Sequence, residues 1–199
     1  MKKWVLAAAA ALGIAGAADA TVITLQGVSA NGANDFTFNY QGTLGPDEGL
    51  RSGDRLVIFD FAGYIEGSVF AGLPQVVAST ETVSSSVFLT PGQTDDPNLV
   101  NLVFTYTGPD FRVEDGPFAP VSFSDLGARS TFGQTAFDAF FALTTKNNPP
   151  PEAATATVQI GVVQVPAVPE PATWAMMISG FGLAGMAARR RKLAVRALA

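Results

Sequence analysis

The side chains that most often carry catalysis are missing from this chain, which has neither histidine nor cysteine in its 199 residues. Ser-His-Asp and Cys-His nucleophiles are therefore impossible, and so are imidazole- or thiolate-bound metals such as zinc. Carboxylates remain. Asp95-Asp96 and Glu114-Asp115 could supply the paired acids of glycoside cleavage. Both pairs fall in turn-like segments, where Asp bonds its own backbone, so turn chemistry is the stronger reading. Gly45-Pro46-Asp47-Glu48 and Asp95-Asp96-Pro97-Asn98 offer oxygen ligands to a hard cation, yet neither follows a defined calcium loop. Tyr40, Tyr64 and Tyr106 are candidates for a sugar-stacking platform, but each sits in an alternating run that half-buries it. Gly13-Ile14-Ala15-Gly16 has no strand before it and is not a phosphate loop. The expectation is a body without catalytic residues, metal ligands or cofactors. A carbohydrate-binding or carboxylate-based polysaccharide-acting protein and a calcium-dependent adhesin are the alternatives.

The C-terminal end shows the chemistry of a substrate. Val165 to Pro171 has three prolines in seven residues, which predicts an extended, donor-poor, accessible segment suited to a protease. An apolar run follows. Trp174 to Ala188 would rise roughly 22 Å as a helix, against a hydrocarbon core of about 30 Å. Trp174 can sit at headgroup level, and Arg189, Arg190, Arg191 and Lys192 form a stop-transfer cluster whose side chains snorkel outward. Gly180, Gly182 and Gly185 make this a modest helix former. Gly180, Ala184 and Ala188 also leave a small-residue face for another helix.

The N-terminus matches that design. Lys2 and Lys3 precede an apolar run from Val5 to Ala18, and Ala18-Asp19-Ala20 satisfies the small-x-small rule for leader cleavage. A mature chain would begin at Thr21. The division expected is a signal peptide at 1–20, an ectodomain at 21–164, a Pro-rich spacer at 165–173, a transmembrane helix at 174–188 and a basic cytoplasmic tail at 189–199. The body has roughly 144 residues, enough for one domain. It holds five basic residues, Arg51, Arg55, Arg112, Arg129 and Lys146, against fifteen acidic ones, a formal charge of −10. That balance argues against nucleic acid and anionic lipid as partners of the body. No disulfide staples it, so burial of its 14 Phe and 3 Tyr must hold it together.

The elements that would carry these residues read as β. Thr21–Val28 is a first strand, with a turn at Asn31–Asn34. Asp35–Gln41 places Phe36, Phe38 and Tyr40 on one face. Gly42–Gly53 is a loop. Arg55–Phe61 is apolar on both faces and reads as a central strand, and Tyr64–Phe70 follows as its hairpin partner after Gly63. Val76–Leu89 holds one long strand or two short ones, before a loop at Pro91–Pro97. Leu99–Thr107 aligns Val100, Leu102, Phe104 and Tyr106. Phe111–Glu114 and Val121–Ser124 read as short strands, and Gly127–Gly133 as irregular. Gln134–Thr145 fits both periods; Thr144-Thr145 and the β context favour strand. Thr155–Val163 closes the set. Nine or ten short strands with Gly and Pro between them predict an all-β, antiparallel β-sandwich, jelly-roll-like in connection.

Pro169-Glu170-Pro171, the Trp174-Ala175 pair, the Gly180–Gly185 stretch and the arginine cluster together resemble the PEP-CTERM sorting signal in its PEPxxWA form. The resemblance covers about 25 residues and is specific in order and spacing. It implies export across the inner membrane of a Gram-negative cell by the secretion machinery, transient anchoring there with a periplasmic body, and processing near Pro169–Pro171. The enzyme implied is an exosortase, an integral membrane cysteine protease. A tie to exopolysaccharide and biofilm, and a product at the surface or released, are also implied. Leu50–Gly63 and Asp95–Phe111 are loosely similar to β-rich ectodomains of such proteins.

Overall fold

In this computed structural model the residues described are 20–83, 95–113, 118–148, 152–168 and 175–183. Alternating apolar side chains build strands β1 (Val22–Gly32) and β2 (Asp35–Leu44). They form a hairpin in which Gly32 pairs with Asp35 and Asn34 takes φ 55°, a conformation Asn tolerates. β1 runs past its expected end at Val28, and β2 runs into the stretch expected as loop. There follow β3 (Glu48–Gly49), β4 (Arg55–Phe61), β5 (Phe70–Ala71), β6 (Val76–Glu81), β7 (Val100–Tyr106), β8 (Val121–Ser130), β9 (Thr135–Lys146) and β10 (Thr155–Pro166).

These make two antiparallel sheets. One has the order β1-β2-β8-β5. The other runs β10-β9-β4-β7-β6, with β3 paired to the end of β9. The sheets share one buried cluster. Ile23, Phe38, Tyr40 and Leu126 come from the first, and Ile58, Phe61, Leu102, Phe104 and Phe140 are among those from the second. Phe38 and Phe61 meet edge to face across the gap, with centroids 5.5 Å apart and planes at 79°.

β4 behaves as the central strand its sequence predicts. Leu56 and Ile58 face the other sheet, while Val57 and Phe59 join Val103, Ala139 and Phe141 in a second cluster. Strict alternation would point Phe61 away from the first cluster. A register slip between Ile58 and Phe61, with Asp60 at φ 52°, restores it to the core. β9 settles the ambiguity of Gln134–Thr145 as strand. It lies between β10 and β4, so Phe140 is buried on one face and Phe141 on the other.

Three expectations are corrected. Tyr64–Phe70 is not a hairpin strand: Gly63 (φ 65°) and Gly67 (φ 72°) turn the chain twice, leaving a lone bridge from Tyr64 to Ser130 and the two-residue β5. Gly127–Ser130, expected as irregular, belongs to β8. Gly127 is there because a Cβ would come within 2.1 Å of the Phe38 carbonyl oxygen. At Phe111 there is only a bridge to Leu50. Glu114-Asp115 and the stretch 84–94 lie outside the described residues.

Candidate functional site at the junction of body and tail

The tail leaves from the edge strand of the six-stranded sheet. β10 pairs with β9 as far as Pro166 opposite Thr135, and the next amide, Ala167 N–H, donates to the Gln134 carbonyl at 2.8 Å. The ladder therefore runs three residues beyond Val163 and into the expected spacer. Val163 and Val165 are each 2% exposed, which pins the end of the strand by burial. From the opposite sheet, the Tyr40 hydroxyl donates to the Gln164 carbonyl at 3.0 Å. Burial of that phenol pushes its titration far above the ordinary range. Val168 is exposed. Pro169, Glu170 and Pro171 lie outside the described residues, one residue further on.

Beside this exit is a groove of about 390 Å³, lined in part by Asp60, Leu99, Gln134, Asp138 and the segment 165–168. One of its carboxylates, Asp60, is tied into a set of bonds with Asn101 and the Asp95–Asp96 stretch. Asp96 N–H donates to Asp60 Oδ1 at 3.0 Å, Asp60 N–H donates to Asn101 Oδ1 at 2.9 Å, and Asn101 Nδ2 donates to Asp95 Oδ1 at 3.0 Å. Burial, reinforced by the negative charges of Asp138, Asp95 and Asp96 and opposed by the Asp96 amide, pushes the Asp60 carboxyl up to about 6. Asp138 is raised too, by burial first and by Asp95. Asp60 and Asp138 belong to no sequence motif. Each is a lone charge inside an apolar strand, and that is the signal by which they could be found.

Beyond the junction, residues 175–183 form a helix, α1. The Ser179 hydroxyl donates to the Ala175 carbonyl within it at 2.6 Å. Its apolar residues are exposed, Met176 by 77% and Phe181 by 74%, and a Cβ at Gly180 or Gly182 would touch nothing within 4 Å. A helix apolar all round calls for an apolar surrounding. No helix among the described residues is long and apolar enough to cross a membrane. Trp174, Gly185, Arg189, Arg190, Arg191 and Lys192 lie outside the described residues, as does Ala18. Ala20 is half-buried, and Thr21 is 4% exposed.

The other candidates are drawn into the fold. Glu48 is 2% exposed and accepts from Gly45 N–H and Gln159 Nε2, while the Pro46 carbonyl accepts from Phe118 N–H and Arg112 Nη2. Tyr40 is fully buried, and the Tyr106 hydroxyl donates to the Pro109 carbonyl at 2.6 Å. Among the described residues, no three His, Cys, Asp or Glu side chains stand close enough to hold a metal ion.

An all-β body whose last ladder bond is followed in the sequence by a proline-rich segment and then by an apolar helix at 175–183 has the layout of an exported protein with a C-terminal sorting signal. Residues 167–192 match the PEP-CTERM protein-sorting motif. That match supports a PEP-CTERM protein, a substrate of exosortase. The motif implies export, processing at the membrane, and then surface display or release. No curated protein and no solved structure matches the chain.

Proposed function

We propose that the two-sheet body is a β-sandwich ectodomain acting as a structural or interaction component of the cell surface or an extracellular matrix tied to exopolysaccharide, and that it performs no catalysis. The observation that carries this reading is the sorting motif at 167–192, set directly on the last bond of the body's ladder. On this reading the leader is removed after Ala20, and the body folds on the periplasmic side. The segment 174–188 holds it transiently in the inner membrane, with Arg189 onward in the cytoplasm. Exosortase then cuts near Pro169-Glu170-Pro171. The exposed Met176, Ile178, Phe181 and Leu183 support the anchoring step, since such a helix is stable in lipid and poorly soluble in water.

Intact-mass analysis of the protein from wild-type and exosortase-deleted cells tests it. The released form should run from Thr21 to a C-terminus near Pro169–Pro171. The deleted strain should retain the whole tail in its inner-membrane fraction. Released protein that still carries Arg189–Lys192 would refute the processing scheme.

A further inference from the structure

Glu48 is the most deeply buried carboxylate among the described residues, at 2% exposure, and all its bonds come from neutral donors. Gly45 N–H reaches Oε2 at 3.1 Å, and Gln159 Nε2 reaches Oε1 at 2.7 Å. The third donor is the Thr21 hydroxyl, also on Oε2. The ion pairs found among the described residues join Arg51 to Asp110, Arg55 to Glu81 and Arg129 to Asp35, and none involves Glu48. Lys146 stands opposite Glu48 in the ladder but is exposed. Arg112 feels the charge of Glu48 and Asp47, yet its Nη2 is committed to the Pro46 carbonyl and its guanidinium lies 4.8 Å over the Phe118 ring. A buried carboxylate without a paired cation is costly.

Thr21 is the residue that leader cleavage after Ala20 would make first. Its backbone nitrogen is three bonds from the hydroxyl that already touches Glu48. We propose that Glu48 is the receptor for the chain's own new N-terminus: cleavage turns the Thr21 nitrogen into an α-ammonium, which pairs with the Glu48 carboxylate. The bond broken is the Ala20–Thr21 amide, hydrolysed by water in the leader-removal step, and the freed amine takes up a proton. A charge-assisted contact then replaces a neutral one in a buried site. The half-buried Ala20 and buried Thr21 place the scissile bond inside the folded edge, so cutting precedes docking. The completed amino-terminal edge is thus a mark of a processed chain.

This rests on the leader reading above, so N-terminal sequencing of the exported protein comes first; a start other than Thr21 would overturn that reading and the pairing with it. On protein that starts at Thr21, NMR titration of labelled Thr21 follows the α-amine directly. Its midpoint is expected at least one unit above the ordinary 7.7–8.0, a tenfold weaker acid, and Glu48→Gln should return it to that range. A wild-type midpoint at or below the ordinary value overturns the pairing. So does a raised midpoint that survives in Glu48→Gln, which would point instead to Asp54, a buried carboxylate lining the same internal cavity as Thr21. One glycine added before Thr21 should lower the urea midpoint of the parent and leave that of Glu48→Gln unmoved. Equal losses in both would refute the assignment. If Glu48→Gln does not fold, the wild-type titration still decides.

Discussion

Asp60 is a carboxylate in an otherwise apolar strand, and its surroundings oppose its charge. Its folded-state value of about 6 lies above the ordinary 3.8, chiefly through burial. The fold therefore favours the protonated form. That contribution is complete below about pH 4 and is lost as pH rises through 6. Asp60→Asn should make the body more stable at pH 7.5, by on the order of 2 kcal/mol, with the gain vanishing near pH 4. Asn suits the site because it tolerates the φ of 52° and keeps an oxygen for the Asp96 amide. Urea unfolding at the two pH values checks this; a parent equally stable at pH 7.5 would refute it. The residue scale was the least legible in the sequence. Asp60 and Asp138 stood out only as charges in apolar runs, and nothing local told that a bulge and a loop would bring them to Asp95 and Asp96.

Among the elements, β4 was legible end to end because both its faces are apolar, as a short strand must be when it is covered on both sides. β9 was ambiguous because Phe137, Phe140 and Phe141 fit two periods; flanking strands on both sides decided it. β8 was read only as far as Ser124 because Gly127 reads as a breaker. Composition shows where a chain can bend, whereas pairing is decided by a partner distant in sequence. At Gly127 the glycine serves close approach: a Cβ would also meet the Phe70 ring at 2.7 Å. Gly127→Ala should cost roughly 3 kcal/mol by forcing β8 away from β2. Gly27→Ala on β1, where a Cβ meets nothing within 4 Å, should stay within about 0.5 kcal/mol. Thermal melts of the two variants compare them; similar losses in both would refute the close-approach account.

At the scale of the whole molecule, β9 is a ruler. Its Thr135 end marks where the tail departs, and its Lys146 end lies beside Glu48. Twelve residues at about 3.3 Å each separate the Glu48 edge from the tail's exit by roughly 40 Å. The sorting tail was readable from sequence because it is a linear signal. The absence of slack before it was not, because the prolines of 165–171 suggested a spacer where two residues in fact finish a strand. A chain that starts at Thr21 and stops after Val168 should melt with the same midpoint as one that keeps the tail. Stopping after Val162 removes buried Val163 and Val165 and the last ladder bonds, and should cost at least about 3 kcal/mol. Equal midpoints for the two truncations would show that the strand end contributes nothing.

On the anchoring proposed above, the bond from Ala167 to Gln134 would also bound a distance to the bilayer. Six residues lie between Ala167 and Trp174, so even fully extended that stretch reaches only about 25 Å. So tethered, the body would hang on a leash not much longer than two screening lengths of physiological salt. On that anchoring the end from which the tail leaves would be the one nearest the lipid, and it carries Asp60 and Asp138 beside the exit groove. The tether would then hold that end inward and the Thr21–Glu48 edge outward. On the same proposal, the cut near Pro169–Pro171 would release the molecule and abolish that polarity in the same event.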